Sequence, residues 1–151
     1  MTSSIVLVTG GFDPLHSGHI AYFKSAKAIA PLSPLAVGLN SDDWLRRKKG
    51  KPFMPINERI AIVRELGMVD VVIEFDDSNG TSKCAIEQLL EIYDKVIFAN
   101  GGDRHNENVP EYEIFKDNNN VIFRWAVGGL NKLNRVLGYW VNGKIKNDVS
   151  Q

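Results

Sequence analysis

Residues 9–19 read TGGFDPLHSGH and follow directly on the apolar run SIVLV. Gly10 and Gly11 lack a Cβ, so backbone N–H groups at the end of a strand can approach a ligand closely. Ser17, Gly18 and His19 open the next helix, where free N–H groups and the helix dipole favour phosphate. His16 beside the cap and His19 in the first turn can face the same anion. Together they predict a polyphosphate cradle with two imidazole donors. The histidines could instead hold a metal, but no cysteine or further histidine stands nearby at ligand spacing, so no metal site is expected.

Such a cradle needs a rigid frame. SIVLVTG (4–10) is a continuous β-branched and aliphatic run, the pattern of a strand buried on both faces. Ser17 is the expected cap of a helix running to about Ala30. PLAVGLN (34–40) reads as a second strand, and Ser41 with Asp42 as the cap of a short helix carrying Trp44 and Leu45. RRKKGKPFMP (46–55) reads as a basic loop, and Asn57 as the start of a helix burying Ile60, Val63 and Leu66. DVVIEF (70–75) is the third strand, followed by a helix of Ile86, Leu89, Leu90 and Ile92 capped by Thr81 or Ser82. DKVIFANGG (94–102) is the fourth strand. A polar connection with a helical turn or two after Pro110 leads to VIFRWAV (121–127), the fifth. LNKLNRVLGYW (130–140) completes the pattern as a final helix. Five buried strands alternating with helices predict an α/β protein, a Rossmann-like doubly wound five-stranded parallel sheet with helices on both faces. Ligands of such sheets lie beyond the strand carboxyl ends, where strand order reverses. The glycine-rich ends of the first and fourth strands, TGGFDPLHSGH and NGGDRH, are expected to line that crevice.

The 151 residues fit one domain spanning 1–151. Eighteen basic and eighteen acidic side chains cancel, so no global field attracts nucleic acid or anionic lipid, and neither is an expected partner. A single cysteine, Cys84, read as a buried helix residue, suits a reducing compartment. With no signal-type segment and no apolar run of spanning length, a cytoplasmic location is expected.

GGFDPLHSGH matches the G-x-F-D-x-x-H-x-G-H signature of the cytidylyltransferase-like nucleotidyltransferases, and the chain resembles that family in order over about residues 4–127. LNSDDWLRRKKGKPFMPINER (39–59) is similar to its second block and NGGDR (100–104) to its third, which in relatives lies along the nucleoside. The likeness is greatest to the sugar-phosphate members, heptose 1-phosphate adenylyltransferase and glycerol-3-phosphate cytidylyltransferase. The resemblance implies transfer of a nucleoside monophosphate from CTP or ATP to a small phosphate monoester, a sugar or polyol phosphate, with release of pyrophosphate. Mg2+ would be carried by the nucleoside triphosphate, and the protein could be a homodimer.

The same resemblance implies roles. His16, His19 and Lys49 would act at the reacting phosphorus, with Lys48 and Lys51 equal candidates for a phosphate-binding lysine. Thr9, Gly10, Gly11, Phe12, Lys51, Gly102, Asp103 and Lys132 would contact the nucleotide, although Phe12, Phe23 and Trp44 read first as packing groups. Asp42, Arg59 and Arg104 would contact the acceptor, in a pocket formed by residues 42–51 and 104–113. The incoming phosphate is already an anion, so no general base is needed and catalysis is alignment plus charge stabilisation. GGLNKLNRVL (128–137) departs from the family, which places Ser or Thr hydroxyls there. Lys132 or Arg135 would substitute as cations; the alternative is a catalytically weakened nucleotide-binding module.

Overall fold

The computed structural model describes residues 3–128. The expected final helix, with Lys132 and the altered 128–137 segment beyond Gly128, lies outside them. In β1 (Ser4–Gly10), Ile5, Val6, Leu7 and Val8 are completely buried, as an uninterrupted apolar run requires. β2 (Leu35–Leu39) is buried throughout, and β3 (Val71–Glu74), β4 (Lys95–Ala99) and β5 (Val121–Arg124) complete a parallel sheet of order β3-β2-β1-β4-β5. The expected doubly wound five-stranded sheet is therefore present. β3 and β5 are less buried than read from their apolar runs, because each is an edge strand with a neighbour on one side only.

Two cores cover the two faces. Val6, Val8, Val37 and Leu39 pack with Phe23 and Ala26 of α1 (Ser17–Ile29) and Val63 of α3 (Ile56–Val63). Ile5, Leu7, Val96 and Phe98 pack with Ala85, Ile86 and Leu89 of α4 (Lys83–Leu90) and Phe115 of α5 (Pro110–Phe115). The alternation of β1 side chains between these cores is the period of two expected of a strand.

The helices correct the sequence reading in four places. The basic stretch 46–49 is not loop but the second half of α2 (Asp42–Lys49). Ser41 Oγ accepts from Trp44 N at 3.0 Å, two aspartates open the helix and four cations close it, so both ends complement the dipole. Gly50, at φ 97°, ends it in a conformation side chains resist. α1 is capped by His16 rather than Ser17, and α3 begins after Pro55 rather than at Asn57. α4 stops at Leu90, which leaves Ile92 exposed, and Cys84 within it is half-buried.

From β1 the chain moves to β2 on one side, and β4 occupies the other, so strand order reverses at β1/β4. The ladder with β4 ends at Leu7↔Phe98, while that with β2 continues to Gly10↔Leu39. The last residues of β1 thus face the crevice. No helix among the described residues is long and apolar enough to cross a membrane.

Candidate active site

A cleft of about 660 Å³ opens at this reversal. Its walls include Thr9 to Pro14 from the end of β1 and the turn after it, His16 and His19 from the cap and first turn of α1, Trp44, Lys48 and Lys49 from α2, Gly80 to Ser82 before α4, and Arg104 and Glu111.

The histidines are held by the helix they begin. His16 Nδ1 accepts from Gly18 N at 3.1 Å, and His19 Nδ1 accepts from His16 N at 3.2 Å, a reciprocal capping box built from two imidazoles. A backbone N–H can only donate, so both Nδ1 atoms are unprotonated and each neutral ring carries its hydrogen on Nε2. The rings stack with centroids 3.8 Å apart, and Phe12 meets His19 edge-on at 5.1 Å. Burial, and then the neighbouring His16, push His19 down to about 4, and burial also lowers His16. At neutral pH the pair therefore offers two N–H donors rather than two cations.

Phe12 adopts φ 50°, a strained conformation for a bulky residue, and is anchored by Phe23 at 4.9 Å. The two glycines before it are required by their own neighbours. A Cβ at Gly10 would lie 2.8 Å from the Phe12 ring, and one at Gly11 2.8 Å from Leu45 Cδ2.

Beneath the turn Asp13 and Arg59 are fully engaged. The Asp13 carboxylate accepts from Phe53 N at 2.6 Å and Met54 N at 2.7 Å and pairs with Lys49 at 2.8 Å. Desolvation opposes its ionisation, but the Lys49 contact and the two N–H bonds together keep its pKa below the ordinary value. Lys49 also donates to Asp13 O at 2.7 Å, and Lys48 lies 4.6 Å from the Trp44 ring centroid. Arg59, only 1% exposed, donates to Gly11 O at 3.0 Å, Asn40 O at 2.7 Å and Met54 O at 3.0 Å, and pairs with Asp42 at 2.7 Å. It braces the ends of β1 and β2 from below.

The opposite wall is looser. Ser82 Oγ donates to Thr9 Oγ1 at 2.8 Å, and Ser82 N donates to Glu111 Oε2 at 2.6 Å. Arg104 Nη2 stands 3.6 Å from Glu111 Oε1, with the arginine side chain 39% exposed.

The structure thus brings together Thr9, Gly10, Gly11, Phe12, His16, His19, Lys49 and Arg104. Arg59 and Asp42 lie below the cleft, engaged with each other. Lys51 is exposed and Gly102 and Asp103 occupy the turn after β4, none of them lining the cleft. Glu111, Ser82 and Asn40 were not singled out from the sequence. Only Ser82 gave a signal, as a helix cap, and Glu111 lay unmarked within the expected acceptor segment 104–113.

A family model described as cytidylyltransferase-like matches residues 7–127, and the chain belongs to the cytidylyltransferase-like nucleotidyltransferases. Among its relatives, the bifunctional protein HldE of Hahella chejuensis is 36% identical over 112 residues, 73% of this chain and 22% of that protein. The HldE of Helicobacter hepaticus is 33% identical over 117 residues, 76% of this chain and 23% of that protein. The chain thus spans under a quarter of the length of these relatives. A lipopolysaccharide core biosynthesis protein of Thermoplasma volcanium is similar in structure, with a TM-score of 0.63 and 27% identity, over 83% of this chain and 96% of that one.

Proposed function

We propose that the protein transfers a nucleoside monophosphate from CTP or ATP to a small sugar or polyol phosphate and releases pyrophosphate. The observation that carries this reading is the imidazole capping box. Two neutral rings, locked with Nε2–H as the remaining donor, border the cleft, and His16 itself takes up the Gly18 and His19 N–H groups that the sequence left free for phosphate. In the reaction an oxygen of the acceptor phosphate attacks the α-phosphorus, the bond to the bridging oxygen breaks, and pyrophosphate departs. Charge grows on the phosphoryl oxygens, where preorganised N–H donors and the Lys48 and Lys49 ammonium groups stabilise it. In this reading the divalent ion is Mg2+ carried by the triphosphate. The relatives support a sugar phosphate as acceptor, one of them being a lipopolysaccharide core biosynthesis protein.

The test is pyrophosphate release with CTP and with ATP against a panel of sugar and alditol phosphates. Release dependent on one nucleotide and one acceptor is the expected result. Nucleotide binding without release across the panel would replace transfer by the binding-module reading, which the hydroxyl-free 128–137 sequence favours.

A further inference from the structure

Two buried side-chain oxygens lack a hydrogen-bond partner among the described residues, Asn100 Oδ1 and Glu111 Oε1, and only Glu111 lines the cleft. A carboxylate oxygen left in this state is costly, and its persistence beside a binding cleft asks for a ligand donor. Glu111 is 2% exposed and its other oxygen is fixed by Ser82 N at 2.6 Å, so the carboxylate cannot turn away. Arg104 is its nearest cation, at 3.6 Å, beyond hydrogen-bond distance. In moving onto a phosphate the guanidinium would break no hydrogen bond but would give up this ion pair, which leaves the buried oxygen in need of another donor.

We propose that Glu111 reads the carbon skeleton of the acceptor: as Arg104 moves onto the acceptor phosphate, Glu111 Oε1 accepts a hydrogen bond from an acceptor hydroxyl. This rests on the transfer reading above and names the residue by which a sugar or polyol phosphate is told from an alkyl phosphate. The surroundings suit such a ligand. Thr9, Thr81 and Ser82 supply hydroxyls to the same wall. Asp13, the other carboxylate lining the cleft, is already engaged by Lys49 and two backbone N–H groups, which leaves Glu111 to receive a donor from the ligand. An alkyl phosphate would draw Arg104 away and leave Oε1 with nothing, and sites built to bond a hydroxyl reject analogues lacking it.

The experiment compares shape-matched pairs, glycerol 3-phosphate with propyl phosphate and mannose 1-phosphate with cyclohexyl phosphate. Binding is measured by calorimetry on the whole chain with a non-hydrolysable triphosphate present, and pyrophosphate release is measured in parallel with CTP and ATP. In the wild type at least one hydroxylated member should bind about tenfold or more tightly than its partner. Glu111→Met, which removes both oxygens, should bring that ratio to about threefold or less, and Glu111→Gln, which keeps an oxygen for Ser82 N, should fall between. If Glu111→Met fails to fold, the wild-type ratio and its fall in Glu111→Gln decide. Equal binding within both pairs, or an unchanged ratio in Glu111→Gln, overturns the inference. A Glu111-dependent ratio without pyrophosphate release removes the transfer reading and leaves the inference. Release without the ratio does the reverse, and no binding of any of the four overturns both.

Discussion

Arg59 and Arg104 stand on opposite sides of one cleft and have opposite relations to it. Arg59 is enclosed, with three carbonyl oxygens and Asp42 around its guanidinium. Arg104 is partly exposed and forms a loose ion pair with one carboxylate oxygen, at 3.6 Å and without a hydrogen bond. The region under β1 and β2 is a finished frame in which donors and acceptors are matched internally. The wall between β4 and α5 holds a cation and a carboxylate oxygen as an ion pair without a hydrogen bond. A guanidinium is therefore informative about function only through what remains free on it, and sequence reports the residue but not that remainder.

The largest effect should come from dismantling the frame. Arg59→Ala leaves Asp42 and three carbonyls without their donor inside the protein and should cost about 3–5 kcal/mol of stability, read by denaturant unfolding. Arg59→Lys should recover little of it, since a single ammonium cannot satisfy the guanidinium's fork. A fully stable Arg59→Ala protein would remove the distinction between the two sides.

His19 belongs to both regions, with Nδ1 engaged in the frame and Nε2–H free for the cleft. His19→Ala should lower pyrophosphate release by about a hundredfold or more while far-UV circular dichroism still reports a folded chain. Turnover close to the wild type would break the assignment of the imidazole pair.

Arg104→Ala should sharpen the contrast by doing the reverse of Arg59→Ala. Its contact is an ion pair with a buried carboxylate, so some stability should be lost, but less than in Arg59→Ala, because the arginine is itself partly exposed and makes no hydrogen bond there. The KM for the acceptor phosphate should nevertheless rise about tenfold or more, because charge-assisted bonds to phosphate are lost. Equal losses in stability and KM would make it a second Arg59.

The last prediction concerns pH. The ordinary histidine value of 6.5 falls to about 4 for His19 in the folded chain, so between these values the unfolded state binds more protons. Stability contributed by the neutral ring is thus present above pH 6.5 and lost as pH falls towards 4, with a slope of at most ~1.4 kcal/mol per pH unit from this group. Denaturant midpoints measured across that window should show the slope in the wild type, and His19→Asn should lack the His19 share of it.

Much of this was legible in the sequence. The buried runs located the strands, and their alternation with helices gave the topology and hence the crevice at β1/β4. TGGFDPLHSGH marked the histidines and the turn. The charge run RRKK was misread as loop because four cations suggest a solvated segment. Arginine and lysine are good helix formers, and their position before Gly50 after a Ser41 cap places them at the favourable end of a dipole. The burial of Arg59 was invisible because its partners are mostly backbone carbonyls, which carry no residue identity. Glu111 was invisible for a related reason, since its role depends on Ser82 and Arg104 arriving from other elements. The glycines were found for one reason and are required for another: the Phe12 ring and the Leu45 side chain fill the space a Cβ would take.

That last contact links the turn after β1 to the history of the chain. Leu45 belongs to α2, and its methyl is what would have to shift to admit alanine at position 11. The two positions should therefore change together over evolutionary time: relatives with alanine in place of Gly11 are expected to carry a smaller residue where Leu45 stands. Position 10 has no such freedom, because the ring that blocks it also packs against His19. One glycine of the pair is negotiable with a distant helix, and the other is fixed by the residue it serves.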